Sequence, residues 1–573
     1  MTEMSDQVRG VIFVLLALLI LFAWQHFYKP PVQPPQPKPA ESAQTTQQAQ
    51  APVTAPQSAR KTGKAAAGTA ASSIPVIEAS EEKTVVVESP LYHVELSNRG
   101  GVVRSWKLRK YFDDQKPPRE LDLVNADVAQ ELGWPLSVLL LDPQQETLAN
   151  SSLYQVTAAA DRLDAPATLT FHWSNGHLDI TKKLNFTDSY EMSIETAVTF
   201  DGQPVTGSAI AWRGGFGDKA VYRAALLINV FYKLNGKLEL LPLKKLGVPN
   251  NQIQPLLQPG PLEFTGLEDQ FFTAAFMPDS ADLSLALWHW TQFHHITGGD
   301  KPESEQVAEM AAGSPVPQPL RMRVYVGPKD VTLLSKEKPP LDELVQFGWT
   351  GIIAKPLFEV LKWIYKYVPN YGWSIVILTL VINGLMFPLK MKSWRSMQKM
   401  QKVGPEIKQI QERYKKYSMT DPRKKKMNEE VMAIYSREGI NPMGSCLPML
   451  FQMPIWWALW RVLNGAIELR HAPWIGWVHD LSAMDPYYIL PISMTITMYL
   501  MTKTTPQTTV DPTQQKMMAF MPLFMFFIFY KLSSGLNLYM FTSNLVGIGQ
   551  QWYLNRTEPL PSRSKFKKKT EPA

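Results

Sequence analysis

Hydrophobic and polar positions divide the chain into three regimes. The first is one continuous apolar run, VIFVLLALLILFAWQHF (Val11–Phe27), long enough to cross a bilayer at ~1.5 Å per residue. It closes on the bulky Trp24, Gln25, His26 and Phe27 instead of a small-x-small cleavage site, so residues 1–28 read as an uncleaved signal anchor. The second regime alternates with period two: TVVVESPLYHVELSNRGGVVRSWKL, TLTFHWSN, HLDITKKLNF, YEMSIETAVTF, LSLALWHW and LRMRVYVG stand between Gly, Asn and Asp turns. Such a series predicts many strands, few helices and a β-sandwich over residues 82–340. The third regime, from Trp349 onward, carries long apolar runs separated by basic loops.

Within the third regime, Ile352, Leu357, Val360, Leu361 and Ile364 recur at helical spacing, flanked by Lys355, Lys362, Lys366, Trp363 and Tyr365. That predicts an amphipathic helix over 349–370 lying along a membrane surface. Five spans follow by hydropathy, about Tyr371–Pro388, Leu447–Ile467, Tyr487–Met501, Lys516–Tyr530 and Leu536–Tyr553. With the anchor they make six transmembrane α-helices. Between the first two of the five, Met400, Val403, Ile407, Ile410, Tyr414 and Tyr417 step three then four apart. Asp421–Arg423 (DPR) breaks the pattern, and Met427, Val431 and Ile434 open a second arm, predicting a short antiparallel helical hairpin within 390–440.

Composition changes this picture in two places. Residues 29–81 are so rich in Pro, Gln, Ala and Ser that they cannot bury enough apolar area to order themselves, and they read as a tether. Over all 573 residues the hydrophobic fraction is 45% and the mean hydropathy −0.15, values that suggest a soluble protein only because they average unlike halves. Net charge is +7. Its distribution sets orientation, since the hairpin loop and the tail at 556–573 (SRSKFKKK) are basic and should be cytoplasmic. The N-terminus is then cytoplasmic too, and the β domain lies outside, in the periplasm of a Gram-negative envelope.

Candidate chemistry is sparse. Cys446 is the single cysteine, which excludes an intrachain disulfide, a Cys-based zinc site and a redox pair. No nucleotide-binding loop, nucleophile elbow or metalloprotease motif occurs; GIGQ (Gly547–Gln550) lies inside a span and reads as helix packing. His289, His294 and His295 fall in strand-like sequence and read as surface histidines before metal ligands. Polar residues inside the apolar runs carry more. Thr379 and Asn383 share a face of the first core span, Gln452, Arg461 and Asn464 lie on the next, and Thr542, Ser543 and Asn544 on the last. Each either bonds a neighbouring helix or lines a hydrated cavity between helices, and Asn383 is expected to face such water.

NPMGSCLPMLFQMPI (Asn441–Ile455), IELRHAPW (Ile467–Trp474), HDLSAMDPYYILPI (His479–Ile492), QQKMMAFMPL (Gln514–Leu523) and SSGLNLYMFTSNL (Ser533–Leu545) closely resemble the YidC membrane protein insertases, relatives of the Oxa and Alb insertases. GLEDQFFTAAFMP (Gly266–Pro278) is similar to a segment of the family's periplasmic domain. The resemblance implies a five-helix insertase core over 371–555, no enzymatic activity and no cofactor or metal. It implies a hydrophilic groove open to cytoplasm and lipid, formed here by Thr379, Asn383, Gln452, Arg461, Asn464, Tyr539, Ser543 and Asn544. It further implies a hairpin that meets substrate or ribosome through Met400, Ile407, Arg423, Lys424 and Lys425. A tail that touches the ribosome would use Lys565, Lys567, Lys568 and Lys569, although the tail would equally serve as a topology anchor and the Arg423–Lys426 tip reads as a solvated topology anchor before a binding site. Implied partners are nascent integral membrane proteins, the lipid bilayer, the ribosome and the translocon components SecYEG and SecDF.

One departure stands out. Relatives usually carry a groove arginine at the position of Asn383, and many have a second tyrosine where this chain has Met540. Arg461 is a candidate replacement. Counting ~1.5 Å per residue inward from Trp373 and outward from Pro448, its level lies roughly 5 Å from that of Asn383, within snorkelling reach. Alternatively Arg461 reaches the outer interface or pairs with Glu468. A multi-pass transporter or channel with a periplasmic sensor domain is the rival reading, but no clear internal repeat or intramembrane carboxylate cluster accompanies it. A sugar-processing β domain would need paired carboxylates converging in a pocket.

Overall fold

A computed structural model describes residues 74–219, 227–246, 256–280, 283, 285–296, 303–417, 421–440, 447–505 and 512–557. The apolar run Val11–Phe27, the tether up to residue 73 and the tail lysines 565, 567, 568 and 569 lie outside the described residues.

The period-two segments become strands. Ala167–Asn175, Leu178–Phe186 and Glu191–Phe200 form an antiparallel meander in full register, from Ala167↔Phe186 to Leu178↔Phe200. Their burial alternates residue by residue, one face inward and one outward. The sheet continues through Leu320–Pro328, Phe272–Pro278, Phe264–Glu268, Asn229–Leu234 and Lys237–Pro242. A second sheet runs Leu256–Gln258, Ala286–Ile296, Glu303–Gly313, Ala209–Trp212 and Ser137–Leu139; a third is built on Thr84–Glu88, Tyr92–Ser97 and Val102–Phe112. Among the described residues three sheets replace the two of a simple sandwich, with two short helices, Ala126–Leu132 and Pro143–Ser151, between strands. Among the strands that alternation misses are Phe272–Pro278, buried along nearly its whole length, and the Ala-rich Glu303–Gly313. A strand covered on both faces leaves no polar row to read.

The helical part comprises α1 (Gly351–Tyr367), α2 (Tyr371–Arg413), α3 (Pro422–Arg437), α4 (Leu447–Gly465), α5 (Ile489–Thr504), α6 (Pro512–Phe529) and α7 (Ser534–Thr557). Among the described residues, α2 is the one helix that is long and apolar enough to cross a membrane by length and composition. The first core span and the first hairpin arm are one helix: α2 runs unbroken for 43 residues past Pro388 and Pro405, ~65 Å at helical rise. A lone proline removes one backbone bond without supplying a turn. The helix ends at Arg413, with Tyr414 as its C-cap, and the Asp421 carboxylate caps α3 at the Arg423 N–H.

On α1 the expected apolar stripe divides. Ala354, Phe358, Leu361 and Ile364 are buried, and the helix packs against α2 and α4. Ile352, at 88% exposure, Val360, Trp363 and Tyr367 look outward. The helix therefore has a protein face and a second apolar face. Tyr365 stacks on Tyr371 at 4.0 Å across the joint to α2.

Candidate functional site

Asn383 lies on α2 one turn beyond Thr379, and its side chain turns back along its own helix: Nδ2 donates to the Thr379 carbonyl at 2.9 Å and to Ser543 Oγ on α7 at 3.3 Å. The backbone carbonyl of Asn383 accepts from Gln550 Nε2 at 3.0 Å. Lys390 Nζ then donates to Asn383 Oδ1 at 2.7 Å and to Gln550 Oε1 at 3.1 Å. One network thus joins α2 to α7, with an ammonium bridging two amide oxygens. Asn383 is only 1% exposed, so the amide expected to face water is held by protein groups. Lys390 and Gln550, each half-buried, are the outer members of the set. Neither was among the expected site residues, yet the spacing holds a signal: Lys390 follows Asn383 by seven residues and Gln550 follows Ser543 by seven, two turns on one face of each helix.

The other expected residues distribute around this network. Thr379 Oγ1 bonds the Ile375 carbonyl of its own helix at 2.6 Å. Gln452 Nε2 donates to Tyr539 Oη at 2.9 Å, tying α4 to α7. Asn544 turns to α5 and donates to the Met494 carbonyl and Thr497 Oγ1. Thr542 is buried on α7. Asn464 belongs to the opposite end: its side chain donates to the Trp460 carbonyl, and its own carbonyl accepts from Gln270 Nε2 of the β domain at 2.7 Å.

Of the alternatives open to Arg461, the one in which it reaches Asn383 is corrected. Arg461 is exposed and its guanidinium lies over the Trp460 ring, 5.2 Å from the centroid. Its helix buries the opposite face, Ala458, Leu459, Val462 and Leu463. Equal depth along two helices does not bring side chains together when they leave different faces. The cation beside Asn383 is Lys390.

The end of the core next to the β domain is closed by other means. Arg470 is buried, and Asp218 Oδ2 accepts from its Nη2 at 2.6 Å and its Nε at 3.1 Å, while the Phe112 carbonyl accepts from Nη2 at 2.6 Å. The Asp218 N–H donates to Asp269 Oδ2, and Asp269 Oδ1 also caps the N–H groups of Phe271 and Phe272. Burial pushes the Asp269 carboxyl up to about 6. His471 bonds Asp114 at 2.8 Å. Asp485, fully buried, accepts from Trp477 Nε1 and from the Tyr487 and Leu490 N–H groups that start α5. Gly372 begins α2 where any Cβ would stand 2.2 Å from Trp474. Burial raises Glu468, just beyond α4, to about 7.

In the hairpin, Val403, Ile407 and Ile410 of α2 pack with Ile434 and Ile440, with Met400, Tyr414, Met427 and Val431 around them. Ile407 is 2% exposed, which corrects its expected role as a contact residue: a heptad core position is hidden by the pairing that makes the hairpin. Met400 is half-buried. Arg423 is held by Asp421 and stacks over Tyr417 at 3.9 Å, beside the half-buried Lys424 and the exposed Lys425.

In the β domain, His294 and His295 both bond Glu131, at 2.6 and 2.7 Å, and His289 is buried. Among the described residues no group of three or more His, Cys, Asp or Glu is placed to hold a metal ion.

Comparison with known proteins covers both parts of the chain. The family model described as "60Kd inner membrane protein" matches residues 363–561, and the model described as "YidC periplasmic domain" matches residues 84–360. The membrane protein insertase YidC of Wolinella succinogenes is 32% identical, with 97% of this chain and 96% of that protein aligned. The protein of the same name from Methylobacillus flagellatus is 30% identical over 96% of this chain and 97% of its own length. A crystal structure described as an active YidC insertase with the first transmembrane domain resolved aligns with 84% of this chain and 95% of its own, at 18% identity and a TM-score of 0.34.

Proposed function

The chain belongs to the YidC family of membrane protein insertases, and on that premise we propose that substrate is received at the network joining α2 to α7, where Lys390 supplies the cation. The observation that carries this is the ammonium bridging Asn383 Oδ1 and Gln550 Oε1. A backbone N–H or C=O crossing hydrocarbon without a partner costs several kcal/mol. A half-buried ammonium with three donors, two of them on amide oxygens, can trade those partners for a carbonyl or carboxylate of an entering chain. Asn383, Ser543 and Gln550 offer further donors and acceptors for the same exchange, with Gln452 and Tyr539 alongside. No nucleotide or metal takes part in such an exchange.

In this reading six helices span the inner membrane, α1 lies along its outer surface, and both termini face the cytoplasm. Basic loop charge and the outward Ile352, Trp363 and Tyr367 of α1 support it. Arg423, Lys424 and Lys425 at the hairpin tip and Lys565, Lys567, Lys568 and Lys569 in the tail meet the ribosome by salt-sensitive contacts with phosphate. SecYEG and SecDF act beside the core on larger substrates.

The test depletes the protein in its host and follows small one- and two-span substrates by protease accessibility, with a photoreactive side chain placed by Ser543→p-benzoylphenylalanine. Loss of insertion, restored by the wild type and accompanied by crosslinks from position 543 to the nascent chain, is expected. Restoration with crosslinks only from elsewhere would overturn the assignment of the site.

A further inference from the structure

Arg461 is a cation that the network between α2 and α7 leaves unused. It differs from Arg470, nine residues on, which is buried against Asp218. Among the described residues Arg461 is exposed, and its recorded contact is with an aromatic ring, Trp460, instead of a carboxylate. Trp460 in turn meets Trp457 edge to face at 5.6 Å.

Spacing continues the argument. Leu450, Met453, Trp457 and Arg461 are three, four and four apart, one face of α4, with Leu450, Met453 and Arg461 exposed and Trp457 half-buried. Read toward the β domain, that face passes from aliphatic to tryptophan to arginine. This is the order in which a lipid-facing helix approaches the headgroup level. Gly465 ends the helix four residues past Arg461, ~6 Å further, so the guanidinium reaches that level with little extension. Next to α4 lies α1, whose Trp363, Lys366 and Tyr367 are exposed.

We propose that Arg461, over Trp460, binds the phosphate of an anionic phospholipid in the outer leaflet. A guanidinium presents a planar fork of N–H donors that matches a phosphate's oxygens, and it stacks on an indole while doing so. Charge complementarity selects the anionic lipid: a zwitterionic headgroup would bring a second cation beside Arg461. The site anchors the outer end of α4. The inference rests on the reading that α4 crosses the bilayer.

The experiment reconstitutes the full chain in vesicles containing diazirine-tagged phosphatidylglycerol or phosphatidylcholine and maps crosslinks on the 447–467 peptide by mass spectrometry. Labelling by both lipids checks that α4 faces the bilayer, and the ratio between them tests Arg461. Severalfold preference for phosphatidylglycerol is expected in the wild type, a ratio near unity in Arg461→Gln, and an intermediate preference in Arg461→Lys, which keeps the charge and loses the planar fork. A wild-type ratio already near unity would overturn the proposal. So would an unchanged ratio in Arg461→Gln combined with slower insertion of substrates bearing an acidic residue, because the guanidinium would then serve the substrate. Labelling by neither lipid would remove α4 from the bilayer and the proposal with it.

Discussion

The two ends of the helical core are held by different kinds of bond. Toward the β domain, backbone groups and fully buried ions do the work. Ser534 and Gly535 N–H groups donate to the carbonyls of Ala483 and Leu481, Asp485 caps α5, and Arg470 reaches into the β domain to Asp218. Around Asn383 the bonds between helices are made by side chains, and two of those side chains, Lys390 and Gln550, are half-buried. Backbone and buried-ion contacts have no cheap alternative partner, whereas a lysine and an amide at a half-buried position can exchange theirs for water or for another chain. One end is held by bonds without a ready substitute, the other by bonds that can be exchanged.

The sharpest break is at the closed end. Arg470→Ala takes away the two guanidinium N–H groups that the buried Asp218 Oδ2 accepts from and should cost ~3 kcal/mol, read as a lower midpoint in denaturant unfolding of the full chain in detergent. Asp218→Ala should cost a similar amount, and the double substitution less than the sum of the two. Next comes Asp485→Ala, which orphans an indole N–H and two backbone N–H groups; about 2 kcal/mol is expected in the same measurement.

Glu468 gives a pH test of the same end. Burial raises its folded value to about 7 from an ordinary 4.5, with Asp330 and Glu359 pushing the same way and Lys362 opposing. The folded state therefore holds this proton more tightly than the unfolded chain does. The stability it contributes is complete below about 4.5 and is lost as pH rises through about 7. The unfolding midpoint should show that decline in the wild type and a shallower one in Glu468→Gln. The smallest effect on stability belongs to the open end: Lys390→Gln should change it by less than ~1 kcal/mol while slowing insertion severalfold. A large loss of stability there would erase the contrast between the two ends.

Much of this architecture is legible in the chain. Alternation in Leu178–Phe186 and Glu191–Phe200 gives strands and faces, and the heptad Met400–Tyr414 gives the hairpin core. That same heptad should have withdrawn Ile407 from the contact residues, because a core position cannot also be presented. Asn383 announces itself as an amide in an apolar run, but its partners do not. Lys390 reads as the first positive residue after a span, and only the matched seven-residue steps to Lys390 and Gln550 connect it inward. Arg461 misleads for a geometric reason: counting residues fixes depth along a helix, and rotation about the axis decides which neighbour a side chain meets.

The most direct test replaces the depleted protein with Lys390 and Arg461 variants and times the insertion of a two-span substrate by protease accessibility. The account predicts wild-type rates for Arg461→Gln on a substrate without charged translocated residues, near wild-type rates for Lys390→Arg, and a severalfold slower rate for Lys390→Gln at an unchanged unfolding midpoint. Wild-type insertion by Lys390→Gln, with Arg461→Gln the slow variant, would contradict it and return the groove's cation to α4.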